Sequence, residues 1–96
     1  MIRSQILSKA NECVCGKRQT DYGTPEDNFK RIADSWSSYL RYNITPVDVA
    51  NMMILLKIAR IQSGNATEDS FVDIAGYAAC GGEIALGCRT DQDERD

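Results

Sequence analysis

Across residues 47–61 apolar side chains point in nearly every direction around a helical axis, the pattern of a helix enclosed on most of its sides. A chain of 96 residues has little protein with which to enclose it, because a domain this small buries only about two-thirds of the surface its unfolded chain exposes. The segment therefore predicts an all-α domain organised around it and completed by oligomerisation, as a dimer or higher homo-oligomer whose neighbouring copy covers the remaining face. Its longest apolar run, residues 49–58 broken by Asn51, falls far short of the ~20 residues that span a bilayer. No membrane partner is expected.

Two matching start signals bound the central helices. Thr24-Pro25-x-Asp27 and Thr45-Pro46-x-Asp48 each supply a capping hydroxyl, a proline preset for the first helical position and an aspartate in a variant of the capping box. They open helices at Pro25, running to about Leu40, and at Pro46. Ser63-Gly64-Asn65 closes the second of these, and Thr67 caps a last helix over residues 68–86. Near the N-terminus Ile6, Leu7, Ala10, Cys13 and Val14 alternate by three and four, which predicts an amphipathic helix over residues 4–18, capped by Ser4 and weakened at Gly16. The expected architecture is a four-helix antiparallel bundle-like domain over residues 1–87. Its centre is the hairpin of residues 46–62 and 68–86, and residues 88–96 form a charged flexible tail.

Within this frame Phe29, Ile32, Ala33, Trp36 and Leu40 read as the apolar face of the second helix. The last helix contains Gly76, Gly81 and Gly82, each costing about 1 kcal/mol relative to alanine. Together with the small face of Ala75, Gly76, Ala79 and Cys80 they point to close approach by another helix.

The charges inside the hairpin are harder to place. Lys57 and Arg60 lie three apart, about 60° around the axis, on the side that carries Ala50 and Met53. Asp69, Asp73, Gly76 and Cys80 share a stripe on the following helix, with Tyr77 at its edge. A short loop makes the two helices antiparallel neighbours, bringing Arg60 towards Asp69 and Lys57 towards Asp73 or Tyr77. These are either ion pairs locking the hairpin or a site in which two cations hold a phosphate, Arg60 bidentately and Lys57 as a point charge. Arg18 and Tyr22 flank the turn at QTDYG, where Gly23 tolerates positive φ; Tyr22, and similarly Asn28, would meet a base while Arg18 assists at phosphate.

Composition narrows the chemistry. The net charge of −3 argues against binding a nucleic-acid polymer, which needs a dense basic surface, but leaves a small nucleotide allowed. Histidine is absent, so hydrolysis would rest on carboxylates and a hard metal. The candidate magnesium ligands are Asp48, Asp69 and Asp73, a thin set, and Asp48 also reads simply as an acid facing its helix dipole. Without them no cofactor is expected. Cys13, Cys15, Cys80 and Cys88 lack the spacing of a zinc knuckle or redox pair, and the polar N-terminus is no secretion signal. They read as reduced cytoplasmic thiols that pack.

Three segments in order, R-x-x-x-Y-G-x-P-x-x-N-F-x-x-I-A-x-x-W at residues 18–36, D-V-A-x-M-M-x-x-L-K-I-A-R at 48–60 and D-S-F-V-D-I-A-G-Y at 69–77, carry a resemblance. The chain resembles a family of short all-helical proteins of tailed phages and prophages, of uncharacterised function, over about residues 5–86. More distantly it is similar to the MazG-type all-α nucleoside triphosphate pyrophosphohydrolases, which hold magnesium on E-x-x-E and E-x-x-D helices. Here K-I-A-R stands where the first acidic pair belongs, and D-S-F-V-D departs from the second.

The resemblance implies a phage-encoded protein of the host cytoplasm that binds a nucleotide without cutting it. Its role would be that of a sponge for a host immune signal of the cyclic oligonucleotide or cyclic ADP-ribose type. Arg18, Tyr22, Gly23, Asn28, Lys57, Arg60, Asp69, Asp73 and Tyr77 are the expected binding residues, with no catalytic set. The alternatives are a magnesium-dependent pyrophosphohydrolase and a protein-interaction module whose charges only lock the hairpin.

Overall fold

The computed structural model describes residues 1–16, 23–64 and 67–87. Among them the regular structure is four α-helices and no strand: α1 (Arg3–Cys15), α2 (Pro25–Leu40), α3 (Pro46–Gln62) and α4 (Glu68–Leu86). The fold is all-α, as the periodicity predicts. The tail at 88–96 lies outside the described residues.

The helix starts follow from their caps. Thr24 Oγ1 accepts the Asp27 amide at 3.2 Å, and Thr67 Oγ1 accepts the Ser70 amide at 3.3 Å. Thr45 forms the full capping box: its Oγ1 accepts the Asp48 amide at 3.1 Å while the Asp48 carboxylate accepts the Thr45 amide at 2.9 Å. Thr45→Ala is thus expected to cost about 1–2 kcal/mol, against a smaller loss for Thr24→Ala. Urea midpoints of the two variants would check this; equal losses would contradict the difference between the caps.

The first helix corrects the sequence reading at both ends. It opens at Arg3, with Ile2 as the cap position and Gln5 Oε1 accepting the Ile2 amide at 2.9 Å; Ser4 sits inside the first turn. A side chain three residues on from the cap position satisfies that amide, so the helix starts before the serine. It ends at Cys15, where the Gly16 amide donates to Glu12 O at 2.9 Å. At the far end of α2, Arg41 takes a left-handed conformation (φ 54°), and Ser37 fastens the link to α3. The Ser37 hydroxyl accepts the Ile44 amide at 2.8 Å and donates to the Ile44 carbonyl at 3.1 Å.

Packing centres on the α3/α4 hairpin. Lys57 meets Asp73, and seven residues earlier Ala50 meets Gly81, so the two helices run in opposite directions. α1 packs on α4, where Gly76 admits Val14, and α2 packs chiefly on α3. Phe29 and Ala33 join Val49, Ala50 and Cys80 in the core, with Trp36, Ile44 and Met53 against its edge. Trp36 is therefore a packing residue. Of the small face, Gly76 and Cys80 are buried while Ala79 is exposed; Gly81 takes the contact with α3 instead.

One chain does not enclose α3 on most sides. Only Val49 and Ala50 of this helix are fully buried, and Leu55 and Leu56 remain 63% and 49% exposed. The reason is topological: α1 and α2 meet the hairpin through its Val49/Met53 and Gly76/Cys80 stripes, leaving the far side bare. Among the described residues no helix is long and apolar enough to cross a membrane.

Candidate functional site

α4 turns Val72, Asp73, Gly76, Tyr77 and Cys80 towards the other helices, because residues three and four apart share a face. Facing them, α3 presents Val49 and Met53, α2 presents Asn28, Phe29 and Ile32, and α1 presents Cys13 and Val14. Between these faces lies a cleft of about 420 Å³, with Gly23 and Thr24 on its wall. This volume lies within the roughly 300–1,000 Å³ of small-molecule pockets, and the lining has their composition, mainly apolar with few polar groups.

The rings of Phe29 and Tyr77 stand 6.1 Å apart, tilted by 34°. That is a favourable aromatic separation, and both rings line the same cleft. Asp73 is the one charged residue on the described lining. Its Oδ2 accepts from Lys57 Nζ at 3.0 Å, with both side chains largely shielded, at 16% exposure for Lys57 and 31% for Asp73. Burial of this order is tolerable for a carboxylate because the pair is close and hydrogen-bonded. The second carboxylate oxygen retains lone pairs for a ligand.

The pair admits a direct test of its structural share. Lys57→Met leaves Asp73 shielded and unpartnered, and is expected to cost about 1–2 kcal/mol, below the 3–5 of a fully buried pair. The double variant Lys57→Met/Asp73→Asn should recover part of that loss. Urea unfolding of the four proteins in a double-mutant cycle would measure it; additive losses would mean the pair contributes no coupling.

The candidate residues separate into groups. Gly23, Asn28, Asp73 and Tyr77 line the cleft, and Lys57 joins it through Asp73. Arg60 and Asp69 do not: both are exposed, Arg60 in the last turn of α3 and Asp69 in the first turn of α4. There each complements its helix dipole, and the expected ion pair between them is not among those of the described residues. The two cations on one helical stripe diverge because Lys57 folds onto α4 while Arg60, one turn further, reaches the hairpin's end. Arg18 and Tyr22 lie outside the described residues.

Asp48, Asp69 and Asp73 do not assemble a metal site. Asp48 is engaged by the Thr45 amide at the start of α3, Asp69 is exposed, and Asp73 pairs with Lys57. No three His, Cys, Asp or Glu side chains among the described residues gather closely enough to hold a metal ion. Magnesium therefore does not fit this trio.

Phe29 and Ile32 read only as the apolar face of α2, Met53 shared the side of Lys57, and Val72 had no signal of its own; their meeting on one cleft wall is not encoded locally. Cys13 and Cys80, half-buried and buried, also face the cleft, and Cys15 is exposed.

Comparison with known proteins adds kinship. Residues 5–85 match the model of a domain of unknown function, DUF6378. The chain is 49% identical over 75 residues to the Gene 55 protein of Mycobacterium phage D29, covering 78% of this chain and 50% of that protein. It is 51% identical over 74 residues to the Gene 55 protein of Mycobacterium phage L5, covering 76% of this chain and 47% of that one. The chain thus spans about half the length of the curated relatives it matches. No solved structure matches it.

Proposed function

The chain belongs to the DUF6378 family, and from that kinship with phage proteins and the geometry of the cleft we propose that it binds a small nucleotide and holds it without chemistry. The observation that carries the proposal is a mainly apolar cleft whose lining brings the polar side chains Asp73 and Asn28 together with the rings of Tyr77 and Phe29. A nucleobase has the matching surfaces, a flat face for the rings and an edge of N–H donors and acceptors. Asp73 accepts from that edge, and the Asn28 amide both donates and accepts.

In a phage protein this activity serves to sequester a nucleotide signal of host defence, of the cyclic oligonucleotide or cyclic ADP-ribose type. A MazG-like pyrophosphohydrolase is the weaker reading, because its magnesium would need carboxylates that here sit apart and engaged elsewhere. Titration calorimetry against cyclic dinucleotides, cyclic trinucleotides, cyclic ADP-ribose isomers and simple mononucleotides tests the proposal. One class should bind with measurable heat, the ligand should be recovered intact, and Asp73→Asn should weaken binding at least tenfold. Absence of heat across the panel would remove it, and release of pyrophosphate in magnesium would replace it by the hydrolase.

A further inference from the structure

The hairpin has two sides, and α1 and α2 occupy one of them. On the other, helical geometry places Leu55 and Ile58 of α3 beside Phe71, Ala75, Ala78 and Gly82 of α4. Leu55 lies about 160° around α3 from Met53, and Ala78 about 160° around α4 from Gly76, the residues that face α2 and α1. Leu55 is 63% exposed, Phe71 47% and Ile58 37%, while Ala78 is exposed and the space around Gly82 is open. No charged side chain interrupts this far side between Asn51 and Ala59 on α3, where Lys57 turns to Asp73, or between Ile74 and Gly82 on α4.

We infer that this face is a homodimer interface, in which a second copy lays its α3/α4 hairpin on the first about a two-fold axis. Three observations select a second copy as the occupant. The first is area. Exposed Leu55, Ile58, Phe71, Leu86 and the neighbouring alanines amount to on the order of 500 Å² of apolar surface, which is the apolar share of the roughly 800 Å² each partner gives to a standard interface.

The second is self-complementarity. α3 offers Leu55 and Ile58, while the middle of α4 offers Ala75, Ala78 and Gly82 with Phe71 and Leu86 towards its ends, so a two-fold axis can set the leucine of one copy against the small middle of the other. Between Asn51 and Ala59 on α3 and between Ile74 and Gly82 on α4 the face carries no formal charge, with Glu68 only at its end, so two copies meet over its middle without repulsion despite the chain's net charge of −3. The third is need. Among the described residues the fully buried core has few large side chains, Phe29, Val49 and Val72, and only Val49 is completely enclosed. Covering this face would add buried apolar surface to a small core, and a second copy brings the same face with it.

Sedimentation equilibrium of the full chain across concentration, with thermal unfolding followed by circular dichroism, tests the inference. A mass of twice 10.7 kDa is expected, together with a Tm that rises with protein concentration. Leu55→Ala should raise the dimer dissociation constant at least tenfold and Ala78→Glu should give monomer, whereas Tyr39→Glu, on a residue 87% exposed and away from this face, should leave the dimer intact. A monomer with concentration-independent Tm at 100-fold range of concentration would overturn the inference. So would a dimer that neither Leu55→Ala nor Ala78→Glu weakens. If Ala78→Glu fails to fold, the Leu55→Ala dissociation constant alone decides.

Discussion

Phe29→Ala is expected to remove about 3–5 kcal/mol of stability, the range for deleting a buried aromatic ring. Phe29 is 6% exposed and sits where α2 meets both helices of the hairpin, against Ala33, Val49, Ala50 and Cys80. Ala33, Val49, Ala50 and Cys80 are too short to fill the space the ring would leave, and movement of Tyr77 or Met53 into it relieves the cavity term only in part. Native domains hold only about 5–15 kcal/mol in total, and a single chain with so few large buried side chains lies towards the low end. The variant should populate unfolded protein at 37 °C and lose the tilted contact that orients Tyr77 on the cleft wall. Tyr39→Ala, at 87% exposure, should change stability by less than about 0.5 kcal/mol. Urea unfolding of both variants checks the contrast; similar midpoints would mean that α2 does not pack as described.

Gly81 and Gly82 should respond to the same substitution with opposite signs. A Cβ on Gly81 would lie 2.8 Å from the Ala50 Cβ, a methyl fixed to the backbone of α3 with no rotamer by which to withdraw. The hairpin must open to admit it, and overpacking of this kind costs about 1–3 kcal/mol, which outweighs the roughly 1 kcal/mol gained by replacing glycine in a helix. Gly81→Val adds two methyls at the same point and should separate the helices. At Gly82 nothing lies within 4 Å of the added atom, so Gly82→Ala keeps the propensity gain of up to about 1 kcal/mol in the folded chain. Gly76→Ala falls between them, 3.2 Å from the end of the Val14 side chain. With about 4–8 °C in Tm per kcal/mol for a domain of this size, the order Gly82→Ala above wild type above Gly81→Ala is readable by thermal unfolding at protein concentrations low enough to keep the chain monomeric. The reverse order would contradict the antiparallel register of α3 and α4.

Much of the candidate site was visible as residue types but not as a place. Asp73, Tyr77 and Lys57 stood out because charge and ring interrupt an apolar hairpin, and the structure joins all three at one wall. Arg60 carried the same signal and lies elsewhere, since a stripe on a helix does not say how far the neighbouring helix extends along it. Asn28 and Gly23 came to the cleft from a different helix and its leading turn, a meeting that no local pattern encodes.

The division between sequence and tertiary structure follows the range of the forces involved. Helix starts at Pro25, Pro46 and Glu68 were determined locally, because a Thr hydroxyl, a proline ring and the first-turn amides interact within a few residues. The all-α class and the antiparallel hairpin followed from apolar period and a short loop. Which glycine takes the close contact, which cation pairs with Asp73, and which side of the hairpin stays bare were decided only when four helices packed. Each depends on contacts between residues far apart in the chain, where a shift of one helical turn exchanges Lys57 for Arg60 and a step of one residue exchanges Gly81 for Gly82.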